Sequence, residues 1–230
     1  MVNNDLKAAL LDIDGTLVDS NDAHAHAWVE AFKRGGYDVP FEKVRPLIGM
    51  GADNLIPEVV GISKETEKGE QLSKWWEEVF KEKHLPKLKP FPKVRELLMR
   101  MREGGLKLVA ASSSKEDLLE KLLEITGAKD LFQEDTSADD AGKSKPDPDI
   151  VHAALEKAGL PADEALMLGD SPYDVEASSK AGVGMVALRC GGFSDEDLKG
   201  ALAIYDDPAD LLEHYDESPL ASKAGAVVGA

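Results

Sequence analysis

A chain of 230 residues has room for one ordinary domain, or for one core with a smaller inserted lobe. Its 43% hydrophobic content suffices for a packed core, and no apolar run approaches the roughly 18 residues of a membrane span. The 44 acidic against 27 basic residues leave a net charge of −17, a field that repels nucleic-acid phosphates and anionic membranes and argues against either as a partner.

Cys190 is the single cysteine, which excludes an intramolecular disulfide and a cysteine-rich metal site. The N-terminal residues lack the basic region and apolar stretch of a secretory signal, so a cytoplasmic location is expected.

The first expected element is a short buried strand, Ala8-Ala9-Leu10-Leu11, ending abruptly in Asp12-Ile13-Asp14-Gly15-Thr16. Strands of open α/β sheets deliver functional groups at their carboxyl ends. Two carboxylates placed there together repel one another and imply a cation, a shared proton or a paired base. An Asp-Gly turn explains the same residues when they are read alone. Next, Ser20 is positioned to cap a helix whose Ala27, Trp28, Ala31 and Phe32 share one face and which stops at Gly35-Gly36. Short segments at 41–47 and 53–60 follow. A longer helix is expected within 64–84, with Leu72, Trp75, Trp76, Val79 and Phe80 as its stripe. These read as a small all-helical lobe with the tryptophans in its core.

From Pro90 the rhythm changes. Helix 92–103, strand 106–111, helix 115–126, helix 147–158, strand 165–168, helix 172–181, strand 184–188, a strand near 201–205 and helix 208–214 follow in turn. Alternating strands and helices predict an α/β fold with a doubly wound parallel sheet, to which the first strand also belongs. The helical lobe is then an insertion. The chain divides into a core of residues 1–19 and 90–217, a lobe of 20–89, and a flexible tail of 218–230.

The strand ends carry the chemistry. Ser112-Ser113-Ser114-Lys115 offers hydroxyls and helix-opening amides, suited either to an anion or to a plain helix cap. Lys145 stands in a proline-stiffened loop, Lys145-Pro146-Asp147-Pro148, as a point charge for a phosphate. Gly169-Asp170 and Asp174 add carboxylates to Asp12 and Asp14, an oxygen-rich set of the kind magnesium prefers.

Taken in order, Asp12-Ile13-Asp14-Gly15-Thr16, Ser112, Lys145 and Gly169-Asp170 with Asp174 resemble the haloacid-dehalogenase-like superfamily over nearly the whole chain. The inserted lobe resembles the helical cap of the branch with phosphoglycolate phosphatases and β-phosphoglucomutases. Leu11 departs from the Phe that many members carry there, an apolar exchange without catalytic consequence.

The resemblance implies a Rossmann-like core and a four-helix cap. It implies Asp12 as a nucleophile forming an aspartyl-phosphate and Asp14 as the acid and base. Ser112, the Ser113 amide and Lys145 would hold phosphoryl oxygens, and Mg2+ would be held by Asp12, the Asp14 carbonyl and Asp170, with Asp174 in support. In the cap, it points to His24, Gly49 and Ala52 as substrate-selecting residues. β-Phosphoglucomutases carry an arginine at the position of Ala52 to grip a distal phosphate, and Arg45 is the nearby cation that could substitute.

The expected partner is a small phosphorylated metabolite, bound by a monomer or homodimer. A phosphosugar mutase is the alternative enzyme. A phosphoacceptor signalling domain shares Asp, Ser/Thr and Lys at strand ends, but such domains are about half this length and lack an inserted cap.

Overall fold

The computed structural model describes residues 6–221. Strand β1 (Ala8–Leu11) is followed by helices α1 (Asn21–Arg34), α2 (Phe41–Val44), α3 (Ala52–Val60) and α4 (Glu67–Val79). Then come α5 (Val94–Glu103), β2 (Lys107–Ala111), α6 (Glu116–Ile125), β3 (Glu134–Thr136), α7 (Asp149–Ala158), β4 (Ala165–Gly169) and α8 (Pro172–Lys180). Strands β5 (Gly184–Leu188) and β6 (Ala203–Tyr205) precede α9 (Pro208–Glu213).

The six strands form one parallel sheet in the order β3-β2-β1-β4-β5-β6. Strand β1 is fully buried, and its side chains divide between two cores, as a sheet covered on both faces requires. Ala9 and Leu11 pack with Leu97, Met101, Leu119 and Leu122 from α5 and α6; Ala8 and Leu10 pack with Ile150, Val151 and Ala177 from α7 and α8.

The register places the site. Leu11 pairs with Ala110 of β2 on one side and Leu168 of β4 on the other, and the Asp12 amide continues the ladder to the Leu168 carbonyl at 2.9 Å. The strand order switches direction between β1 and β4, where an open parallel α/β sheet leaves a crevice at its carboxyl edge. Asp12, Ser112 and Asp170 therefore all leave the sheet beside that crevice.

Helices α1 to α4 enclose a third cluster of their own, built on Trp28, Phe32, Val44, Leu55, Ile56 and Leu72. Val79 and Phe80 pack instead with the sheet-side core, so the base of this lobe is continuous with it. Among the described residues, no helix is long and apolar enough to cross a membrane.

Four sequence expectations need correction. Strand β3 was not foreseen: Glu134-Asp135-Thr136 is polar, and only main-chain pairing to β2 makes this edge segment a strand. The helix expected within 64–84 begins at Glu67, where the Thr66 hydroxyl accepts the Gly69 amide, and after Val79 widens into a π turn, Phe80–His84. Ser20 precedes α1 but makes no capping bond; its hydroxyl is used elsewhere. The tail expected from residue 218 is packed at its start, since Ser218 and Leu220 are buried and Tyr215 donates to the Leu220 carbonyl at 3.0 Å. The rest of that expected tail, 222–230, lies outside the described residues.

Candidate active site

The turn after β1 is built around Gly15, whose φ of +76° is a left-handed conformation that disfavours a side chain. A Cβ there would lie 2.2 Å from Asn21 Nδ2 and 2.5 Å from Asp170 Oδ2, so the close approach also demands glycine. The turn projects Asp12 and Asp14 to different neighbours.

Asp12 is buried and shares the Lys145 ammonium with Asp174: Lys145 Nζ donates to Asp12 Oδ1 at 2.6 Å and lies 2.7 Å from Asp174 Oδ1. Asp12 Oδ2 has one long contact, from the Thr16 hydroxyl at 3.2 Å. That hydroxyl also reaches Asp170 Oδ1 at 2.9 Å, and Asn21 Nδ2 donates to Asp170 Oδ2 at 2.8 Å. Asp174 and Ser171 form a reciprocal cap at the start of α8, which fixes the Asp174 carboxylate.

Asp12, Asp170 and Asp174 each offer an oxygen within 4.8 Å of the others, and all three are buried. One buried ammonium faces three carboxylates, leaving an excess of negative charge. Burial, followed by the charges of Asp12 and Asp174, holds Asp170 well above the usual carboxylate range. Burial likewise raises Asp12, against the pull of Lys145. Lys145 is raised despite burial because Asp12 and Asp174 face it. A hard divalent cation bound by oxygen ligands relieves such a cluster, so these residues fit Mg2+. The Asp14 side chain is not part of this set.

Asp14 instead forms a second centre. Its Oδ1 accepts from the Ser20 hydroxyl at 2.6 Å and lies 2.7 Å from His24 Nε2; its Oδ2 accepts from the Ser114 hydroxyl at 3.1 Å. Burial pushes this carboxyl up, but His24 and the hydrogen bonds from His24, Ser20 and Ser114 outweigh it and hold Asp14 below its ordinary value. His24 is itself buried and stacked on Phe80, with ring centroids 4.1 Å apart. The sequence reading gave this histidine to substrate selection; the structure puts it in contact with Asp14.

A cleft of about 160 Å³ joins the two centres to the helical lobe. Asp12, Asp14, Ser113 and Ser114 line it from the sheet, and His24, Trp28, Gly49, Met50, Ala52 and Trp76 line it from the lobe. Trp28 and Trp76 serve both as stacked core, 5.3 Å apart, and as cleft wall. The Ser113 hydroxyl is buried without a hydrogen-bond partner, as a group awaiting an anion would be. Ser112 turns inward, its Oγ accepting the Ser114 amide at 3.0 Å. Arg45 is not in the cleft: it is spent on Asp22 at 2.5 Å and on the Gly191 carbonyl at 2.6 Å.

Sequence reasoning missed Ser20 and Ser114 as partners of Asp14, and Thr16 and Asn21 as partners of Asp170. Ser114 was visible in the serine run, but three adjacent serines do not show which one turns to the aspartate.

A doubly wound sheet with its carboxylates at the central strand ends, beneath an inserted helical lobe, defines a class of hydrolases. Residues 9–188 match the haloacid dehalogenase-like hydrolase family, and the chain belongs to it as an enzyme of the phosphoric monoester hydrolase class. A protein of Caldanaerobacter subterraneus, provisionally named a pyrophosphatase, is 32% identical over 80% of this chain and 82% of its own. The phosphoglycolate phosphatase of Aquifex aeolicus is 28% identical over 92% of this chain and 97% of its own. A solved Bacteroides vulgatus structure, provisionally named a β-phosphoglucomutase, superposes with a TM-score of 0.84 at 28% identity, covering 96% of this chain and 90% of that one.

Proposed function

We propose that this chain is a magnesium-dependent phosphatase that hydrolyses a small phosphorylated metabolite, of phosphoglycolate or sugar phosphate type, through an aspartyl-phosphate on Asp12. The observation that carries the reading is the separation of roles between the two aspartates. Asp12 has one oxygen held by Lys145 at 2.6 Å and the other lightly engaged, the arrangement of an oriented nucleophile. Asp14, two residues on, faces His24, Ser20 and Ser114, groups that exchange and hold protons.

In this reading Asp12 Oδ2 attacks phosphorus, and Lys145, Ser113 and the amides opening α6 take the remaining phosphoryl oxygens. The proton for the leaving alcohol is held between His24 Nε2 and Asp14 Oδ1, and Asp14 later accepts one from the water that opens the acyl phosphate. Trp28, Trp76 and Met50 keep bulk water from the cleft while this happens. Mg2+ bound by Asp12, Asp170 and the Asp14 carbonyl, with Asp174 in support, supplies neutralising charge for an anionic nucleophile and an anionic substrate. The small cleft supports a small leaving group, as do the pyrophosphatase and phosphoglycolate phosphatase names of the relatives.

The mutase alternative needs a cation for a distal phosphate. Ala52 offers none and Arg45 is engaged outside the cleft, while Lys64 and Lys115 line it, Lys115 paired with Glu77 at 3.2 Å, so product analysis separates the two readings. The deciding experiment follows phosphate release and isomer formation across a panel of small phosphate esters with the purified protein. Stoichiometric orthophosphate without phosphosugar isomers is expected; isomer formation faster than release would overturn the phosphatase reading.

His24→Ala tests the second centre. Because His24 contacts Asp14 directly, kcat should fall on the order of 10- to 100-fold for both the best natural ester and a small aryl phosphate, since both depend on Asp14 as base in the second half-reaction. A rise in KM confined to the natural ester would return His24 to substrate selection.

A further inference from the structure

Between α2 and the first turn of α3, the helical lobe touches the core loop that carries Lys145. Asn54 Nδ2 donates to the Lys145 carbonyl at 3.2 Å and reaches the Ser144 carbonyl at 3.5 Å. Beside it, Asp53 Oδ2 accepts the Ser144 amide at 3.2 Å. Gly51 presses so closely on the same loop that a Cβ would stand 2.0 Å from Ser144 Oγ and 2.3 Å from its Cβ, so only glycine permits the contact. Three lobe residues thus grip two neighbouring residues of the core.

The core holds this loop at other points. The Lys143 amide donates to Asp149 Oδ2 at 3.1 Å, and Lys180 Nζ donates to the Pro146 carbonyl at 2.9 Å. The hydrogen bond to the Lys145 carbonyl, by contrast, comes from Asn54. The Lys145 side chain is fully buried, so its stem has little room to compensate for a shift of its backbone. At Lys145 that ammonium is divided between Asp12 and Asp174 at 2.6 and 2.7 Å, and a shift of the backbone would favour one partner over the other.

We propose that Asn54 is a positioning residue for Lys145. When the lobe is seated, the carboxamide fixes the Lys145 backbone, and the full grip of the ammonium on a phosphoryl oxygen exists only in that state. Phosphoryl binding is thereby tied to the segment whose preceding residues, Gly49 to Ala52, line the cleft. This rests on the reading of Lys145 as a phosphoryl-binding residue given above. Simple seating of the lobe is a separate matter: Tyr173 donates to the Pro46 carbonyl at 2.8 Å and Arg45 to the Gly191 carbonyl at 2.6 Å, so the segment has other attachments.

The test compares Asn54→Leu, which keeps the volume and loses the donor, with Asn54→Gln, which keeps a donor, and Tyr173→Phe, which removes a lobe–core hydrogen bond made to the Pro46 carbonyl and not to the Lys145 loop. Inorganic phosphate is the probe, as a competitive inhibitor of aryl phosphate hydrolysis by the magnesium-loaded full chain. Asn54→Leu should raise the phosphate inhibition constant and KM together by about five- to tenfold, the worth of one part-buried hydrogen bond, with a smaller change in kcat. Asn54→Gln should recover part of that loss, and Tyr173→Phe should leave both constants where they were.

Unchanged phosphate inhibition in Asn54→Leu overturns the proposal, as does an equal weakening in Tyr173→Phe, which would assign the effect to seating alone. Lys145→Met separates the two levels. If it leaves phosphate inhibition intact, the reading of Lys145 has failed; if it weakens inhibition while Asn54→Leu does not, only the role of Asn54 has. Should Asn54→Leu lack a cooperative melting transition, Asn54→Ser removes the same reach and carries the same comparison.

Discussion

Asp12→Asn should lower kcat at least ~10³-fold, roughly 4 kcal/mol of barrier, without unfolding the protein. The chemical reason is that a neutral carboxamide oxygen is a poor nucleophile, and the variant also gives up one ligand of the acidic cluster. The structural reason for expecting an intact fold is that Asp12 enters the sheet through its backbone. Its amide donates to the Leu168 carbonyl, and no part of the apolar core depends on its side chain. Lys145 retains Asp174 at 2.7 Å, so the substitution does not strand a buried ammonium. Circular dichroism and thermal melting would establish the fold, and phosphate release the activity. A folded variant that keeps more than about a tenth of wild-type kcat, a change of under ~1.4 kcal/mol, would remove Asp12 from the nucleophile's role.

What the sequence disclosed about this centre, and what it concealed, follows from how each group is positioned. Asp12 and Asp170 end apolar runs, and an apolar run that stops at a carboxylate announces a strand end. Once β1 and β4 are known to pair, their adjacency is a matter of register. Lys145, followed by Pro146 and Pro148, says little alone; its place in order among the other motifs gave it its reading. Ser20 was misread for a physical reason: a serine before a helix has two uses for its hydroxyl, and local sequence shows only the capping one. The Asp14 carboxylate, brought close by the turn at Gly15, wins the competition at 2.6 Å.

His24 shows the same limit. Its closeness in sequence to the catalytic loop let it reach the site, whereas which group it meets there, Asp14, depends on where the lobe rests on the core. Strand β3 and the packed Leu220 belong to another category. Neither has local pattern to reveal it, and each owes its place to a neighbour already formed, β2 in one case and Tyr215 in the other. The Asn54 contact was equally invisible, because an asparagine opening a short helix ordinarily serves that helix.

Removing divalent metal should abolish turnover, and restoring Mg2+ should both recover it and stabilise the fold. The second half of this expectation separates a metal site from a purely structural acidic cluster. Oxygens of Asp12, Asp170 and Asp174 lie within 4.8 Å of one another, among the described residues Lys145 is the one buried cation beside them, and both Asp12 and Asp170 are raised by burial and mutual repulsion. Ionising all three together costs free energy in the metal-free protein, and a bound cation offsets it. A ligand that binds only the folded state stabilises by RT ln(1 + [L]/Kd), about 2.7 kcal/mol when present at a hundred times its dissociation constant. The melting temperature of chelator-treated protein should therefore rise on titration with Mg2+, in parallel with recovered phosphate release. Asp170→Asn should shift both titrations to higher Mg2+ together, because it removes one negative ligand from the same site. Ca2+ should raise the melting temperature while restoring little activity, since its larger and looser coordination satisfies the charge without the octahedral arrangement that Mg2+ imposes. Full activity after exhaustive chelation, or a melting temperature indifferent to Mg2+, would show that the three aspartates serve something other than a metal.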